Sequence, residues 1–105
     1  MAVPEPLSDD EISAELSRLD GWTRQGDEIT KTFEIEYHAG IPMIVEVART
    51  AKEVGHHPDI LRQWDTVTFT VTTHDAGYQI TKLDFDLARR IDDIAAAHGA
   101  TSASP

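Results

Sequence analysis

Cysteine is absent from this 105-residue chain, so neither a disulfide framework nor thiolate chemistry is open to it. Long apolar runs are missing too. Nothing reaches membrane-spanning length, and no basic-then-apolar stretch at the N-terminus reads as an export signal. Basic side chains are scarce: nine Lys and Arg stand against 19 Asp and Glu, a formal charge of −10. Direct binding to nucleic acid needs clustered Lys and Arg to neutralise phosphates, so the charge argues against that class. No Gly-rich phosphate loop follows any strand-like run, and no Ser is paired with an adjacent base. The expectation from these absences is a cytoplasmic protein with no membrane partner.

What is present is ordinary globular composition, 40% hydrophobic and 27% charged, with length for one domain and one modest core. Residues 1–6 and 100–105 are rich in Pro, Ala and Ser and are expected to be loose tails. Between them the hydrophobic period switches repeatedly. Ser8 with Glu11 forms a capping box, and Leu7 with Ile12 a hydrophobic staple. A helix is therefore expected from about 9 to 19, with Ile12, Leu16 and Leu19 on its apolar stripe and Gly21 as its stop. Segments 22–24 and 28–37 flank a Gly-containing turn and read as a hairpin. Ile29, Phe33, Ile35 and Tyr37 share one face, which Lys31 interrupts as if near a sheet edge.

Pro42 suits the first turn of a second helix, with a stripe of Ile44, Val47, Ala48, Ala51 and Val54 and a stop at Gly55. A second hairpin turns near residues 64–66. In it Val67, Phe69 and Val71 alternate with Thr66, Thr68, Thr70 and Thr72. Thr81 and Asp84 have capping-box spacing before a last helix from about 82 to 98. Leu83, Leu87, Ile91, Ile94 and Ala95 form its stripe, and Gly99 ends it. The order is α-β-β-α-β-β-α. Hairpin joins favour an antiparallel sheet, and single-striped helices with a threonine-rich sheet face place all three helices on one side. The expected fold is a two-layer α+β domain with a four-stranded antiparallel sheet.

The chemistry lies in the histidines. The stretch KEVGHHPD sets two of the chain's five side by side, between a Gly that ends a helix and a Pro that biases His57 away from the α region. A hairpin returns the chain to its starting end, so His74 is expected back near His56 and His57. Three imidazoles at one cleft mouth suit proton transfer, their reference pKa being about 6.5. Exposed histidines at strand ends with no joint role are the plain alternative. A His₃ metal site is a third reading. The lack of an H-E-x-x-H motif and the adjacency of two of the three count against it, and no metal is expected. Trp64 either packs locally in its hairpin or walls a cleft for a flat ligand. Asp84 is a helix-start carboxylate favoured by the dipole, placed also to orient an imidazole. Thr73 and Asp75 bracket His74 as turn residues. His38 and His98 read as structural or surface groups.

His56-His57-Pro58, the aromatic Trp64, Thr73-His74-Asp75-Ala76-Gly77 and the run DFDLARRID from Asp84 together resemble the pterin-4a-carbinolamine dehydratases. The likeness covers nearly the whole chain, including the leading helix and the pair Gly21-Trp22. It implies the same α+β fold and dehydration of 4a-hydroxytetrahydropterin to quinonoid dihydropterin, in tetrahydropterin recycling, without metal or bound cofactor. It implies that the family's three active-site histidines fall on His56, His57 and His74. It also implies pterin contacts from Gly55, Pro58, Trp64, Thr72, Thr73, Asp75 and Asp84, homodimers or homotetramers, and in one branch a second role as a transcription-factor partner. Lys52 and Gly55 stand where relatives carry acidic residues. The segment from His74 to Asp84 is one residue longer than usual, with Tyr78-Gln79-Ile80 replacing a tighter turn. A non-catalytic dimeric binding or assembly module of the same fold is the alternative.

Overall fold

The threonine-alternating run sets the centre of the sheet. In the computed structural model, which describes residues 4–103, strands β2 (Glu28–Glu34) and β4 (Thr66–Val71) pair antiparallel from Ile29↔Val71 to Glu34↔Thr66. Alternation puts Ile29, Phe33, Val67, Phe69 and Val71 on one buried face. On the other face Thr30 meets Thr70 through Oγ1 at 3.1 Å, and Thr32 meets Thr68 at 2.7 Å. Strand β1 (Thr23–Gln25) flanks β2, and β3 (Asp59–Arg62) flanks β4, giving the order β1-β2-β4-β3 with every pair antiparallel. Helices α1 (Asp9–Leu16), α2 (Tyr37–Val54) and α3 (Lys82–Ala97) bring Ile12, Met43, Val47, Phe85, Leu87 and Ile91 to a single core with that apolar face. The two-layer α+β architecture is the expected one. Among the described residues no helix is long and apolar enough to cross a membrane.

Four features differ from expectation. The chain adds a short fifth strand, β5 (Thr101–Ser102), paired with Phe33 and Glu34 of β2. Ala103 N also donates to Thr32 O at 3.0 Å. β1 occupies β2 only as far as Thr30, so the second half of that strand has open backbone groups, and Gly99 at φ +79° turns the chain back towards them. The tail expected to be loose is thus partly ordered by pairing. Residues 1–3 and 104–105 of the two tails lie outside the described residues, and Leu7 N ties the N-terminal segment to Ile80 O at 2.9 Å.

Lys31 stands in the gap on the outer side of β2, between β1, which ends opposite Thr30, and β5, which begins opposite Phe33, yet it is not a solvated edge residue. It is 7% exposed, with Nζ 3.0 Å from Asp92 Oδ1. Trp22 Nε1 donates to the same oxygen at 3.0 Å. A cation is tolerated in the apolar face because α3 supplies its carboxylate.

α2 begins at Tyr37, more than a turn before Pro42. Glu36 caps it, its carboxylate accepting Ala39 N–H at 2.8 Å. Pro42 therefore lies inside the helix, where it forgoes one backbone bond, and the β2 strand stops at Glu34 instead of running to Tyr37. α1 is also shorter than expected, ending at Leu16, with Leu19 buried from the turn that follows.

The two capping carboxylates give a pH prediction. Ala39 N–H, then His38, holds the Glu36 carboxyl below its ordinary value of 4.5, and the Ser8 backbone and hydroxyl do the same for Glu11. A lowered folded pKa means stabilisation that is present above the unfolded value and lost as pH falls through the folded one. Acidification below 4.5 is expected to fray the first turns of α1 and α2 while the sheet stays protected. Amide exchange at Ser8, Glu11 and Ala39 against pH checks this; unchanged protection there would refute it.

Candidate active site

The site begins where α2 stops. Gly55, at φ +70°, returns its N–H to Ala51 O, and His56 N bonds the same carbonyl at 3.1 Å. This reversal, which a residue with Cβ would resist, leaves His56 and His57 at one end of the sheet before the chain enters β3. β4 runs back to that end and passes through Thr72 and Thr73 into a 3₁₀ turn, His74–Ala76. A cavity of about 320 Å³ opens between the two segments. Gly55, His56 and His57 line one side, and Thr72, Thr73, His74 and Asp75 the other. Pro4, Val54 and Leu83 complete it with apolar surface. The volume suits a small ring system.

Asp84 braces the cavity from behind. It is the N3 residue of α3 and 0% exposed, and its Oδ1 lies 2.6 Å from His56 Nε2. Oδ2 accepts Thr73 Oγ1–H at 2.9 Å and Thr81 N–H at 2.8 Å. Thr81 Oγ1 accepts Leu83 N–H at 3.2 Å and lies 2.7 Å from Thr73 Oγ1. One proton order satisfies all of these contacts: Thr81 donates to Thr73, and Thr73 donates to Asp84. A carboxylate accepts only, so His56 carries its proton on Nε2 and keeps Nδ1 as the ring nitrogen for a ligand. The capping box read from Thr81 and Asp84 is therefore also the support of an imidazole. His74 is held differently. It is exposed, and its ring stacks on Tyr78 at 4.8 Å between centroids.

Not every expected residue arrives. Trp64 lies outside the cavity, 78% exposed, with its ring 5.7 Å from that of Tyr37. The hairpin that returns His74 to the corner carries its own turn, with Trp64, to the opposite end. Pro58 directs the exit into β3 but does not line the cavity. Thr72 lines it, yet its hydroxyl donates to Asp27 O at 2.8 Å and so anchors the β1–β2 turn. His38 and His98 bond Glu36 and Glu46 at 3.0 and 2.8 Å, away from the site. Sequence reasoning assigned Val54 and Leu83 to core stripes, but both are about 40% exposed and face the cleft. It gave no role at the site to Pro4, which lines the cavity, or to Tyr78, which stacks on His74. Among the described residues no group of three or more His, Asp or Glu is arranged to hold a metal ion.

A profile of the family described as pterin 4 alpha carbinolamine dehydratase matches residues 5–94, a span that contains both histidine segments and Asp84. The chain belongs to this family. The activity for which the family is named is that of a hydro-lyase. A relative from Roseiflexus sp., provisionally named a pterin-4-alpha-carbinolamine dehydratase, is 53% identical over 89 residues, 84% of this chain and 95% of the relative. One from Streptomyces avermitilis, with the same provisional name, is 43% identical over 98 residues, 92% of this chain and 97% of the relative. Among solved structures, the transcriptional coactivator/pterin dehydratase from Brucella melitensis superposes with a TM-score of 0.81 at 28% identity, covering 87% of this chain and 99% of that one. A pterin dehydratase-like protein identified as a RuBisCO assembly factor in the alpha-carboxysome shares the dehydratase fold, with a TM-score of 0.60 at 24% identity over 71% of this chain and 89% of its own.

Proposed function

We propose that the chain dehydrates 4a-hydroxytetrahydropterin to quinonoid dihydropterin and water, in the recycling of a tetrahydropterin, by proton transfer between the substrate and His56 and His74. The observation that carries this reading is one cavity lined by three histidines, of which one is backed by a buried carboxylate. The reaction removes a proton from N5 and delivers one to the departing C4a hydroxyl. His56 is the acceptor: Asp84 holds Nε2–H, leaves Nδ1 free to take the proton, and stabilises the imidazolium that results. His74 is the donor. It is exposed, so bulk water restores its proton after turnover. His57 binds and orients the ring with the backbone of Gly55, Thr72, Thr73 and Asp75, while Val54, Leu83 and Pro4 offer apolar surface to its flat faces.

The deciding experiment is turnover of freshly generated 4a-carbinolamine by the purified protein, before and after exhaustive chelation. The expected result is dehydration far above the spontaneous rate and unchanged by chelator. No rate above background would favour the binding-module alternative. Loss with chelator and recovery with added metal would overturn the metal-free mechanism.

Self-association of this cytoplasmic enzyme is part of the same reading. Strand β3 is a sheet edge, with Ile60 and Leu61 exposed, and α2 shows Tyr37, Ile41 and Val45 to solvent. Tyr37 touches Trp64, which joins the helix surface to the β3–β4 turn. Open edges with apolar side chains pair readily. Sedimentation at micromolar concentration is expected to show a homodimer or homotetramer; monomer alone would refute it.

A further inference from the structure

Tyr78 is the only non-glycine residue with positive φ among the described residues, at +60°. L-residues with a Cβ avoid this region, and a large aromatic enters it only when its surroundings enforce it. Core packing does not enforce it here, because the side chain is 64% exposed. The backbone does. Tyr78 N donates to Thr73 O at 3.1 Å, Thr73 N donates to Gln79 O at 3.1 Å, and Thr73 pairs with Gln79 as an isolated bridge. The excursion between those residues is therefore a closed loop, with Gly77 and Tyr78 both left-handed. The result is the stack already described: the phenol ring lies on the His74 imidazole at 4.8 Å, tilted by 36°.

We infer that Tyr78 is a positioning residue for His74: its left-handed backbone places an aromatic ring on the imidazole, fixing the orientation in which the exposed His74 meets the cavity. The inference rests on the dehydratase reading for its consequence, not for its geometry. The stack restrains an imidazole that is otherwise exposed, and a ring already held in one orientation is placed to transfer a proton without first having to find it.

Two variants separate ring from backbone. Tyr78→Asn keeps a residue that tolerates left-handed φ and removes the ring; Tyr78→Phe keeps the ring and removes the hydroxyl. The ring-proton shifts of His74 are followed by NMR in the ligand-free proteins, and kcat and KM are measured on the carbinolamine, with thermal melts as the folding control. Tyr78→Asn is expected to melt no lower than the parent, to lose the ring-current shift on the His74 protons, and to lower kcat by on the order of tenfold with little change in KM. Tyr78→Phe is expected to match the parent in all of these. Unchanged His74 ring-proton shifts or an unchanged kcat in Tyr78→Asn overturns the inference, as does an equal loss in Tyr78→Phe. Absence of turnover by the parent protein would instead sink the dehydratase reading, and the His74 ring-proton shifts would still decide the stacking.

Discussion

Replacing His56 or His74 with alanine is expected to lower kcat by about 10²-fold or more, the range for loss of a general acid or base. The double variant is expected to fall by much less than the product of the single effects, since a donor and an acceptor that serve one elimination act as a unit. His57→Ala is expected to raise KM more than it lowers kcat. The stability signatures differ as well. His57 and His74 are exposed, so their removal should cost less than about 1 kcal/mol. His56 is 11% exposed and donates to a buried carboxylate, so its alanine variant leaves that oxygen short of a partner. Its melt is expected to drop by the equivalent of about 1–3 kcal/mol. Single-turnover rates with parallel melts test all of this. Near-parental kcat in both His56→Ala and His74→Ala would end the proton-transfer proposal.

Asp84 carries the second large effect, because folding and chemistry meet in one side chain. Asp84→Ala strands His56 Nε2–H, Thr73 Oγ1–H and Thr81 N–H behind the cavity wall, where Thr73 and Thr81 are buried, and breaks the capping box of α3. Each stranded group costs about 1–3 kcal/mol and a lost cap about 1, so a total of about 3–5 kcal/mol is expected after partial relaxation. For a domain of this size, that lowers Tm by roughly 15–30 °C. Asp84→Asn is the sharper probe of function. It preserves shape and one acceptor oxygen but withdraws the negative charge that stabilises a His56 imidazolium. A kcat loss of about 10²-fold or more with a much smaller drop in Tm is expected, read from single-turnover rates and parallel melts. Full activity in Asp84→Asn would show that the carboxylate only caps the helix.

Much of this was legible in local pattern. The alternation from Thr66 to Thr72 fixed β4 and its two faces, and the capping pairs Ser8/Glu11 and Thr81/Asp84 located the starts of α1 and α3. The corner at Gly55 and the return of His74 followed from how a hairpin closes. What escaped depended on partners far away in sequence. Lys31 looked like an edge marker because nothing nearby reveals Asp92 as its counter-ion. The start of α2 was drawn to Pro42, a favoured first-turn residue, because Glu36 is not a usual cap and its role appears only through Ala39 N–H. Val54 and Leu83 fit helical stripes by spacing, but a stripe position at the end of a helix overhangs the core and becomes a cleft wall. Trp64 was credited to the site by its flat ring and by the family likeness, although the hairpin that delivers His74 must carry Trp64 away. Tyr78 showed only as part of a lengthened turn, since left-handed φ is not expected of tyrosine.

The divided outer edge of β2 bears on how the chain leaves the ribosome. That strand is made early. β1 is already present to protect its first residues, and β4 arrives later on its other side. The groups opposite Thr101 and Ser102 stay bare until those two residues have themselves been made. A nascent chain that carries β4 but not yet β5 therefore displays half of a strand edge on β2. Neighbouring nascent chains on one message are the copies most able to pair with it, so the pace at which residues 72–102 are translated governs how long that opportunity lasts.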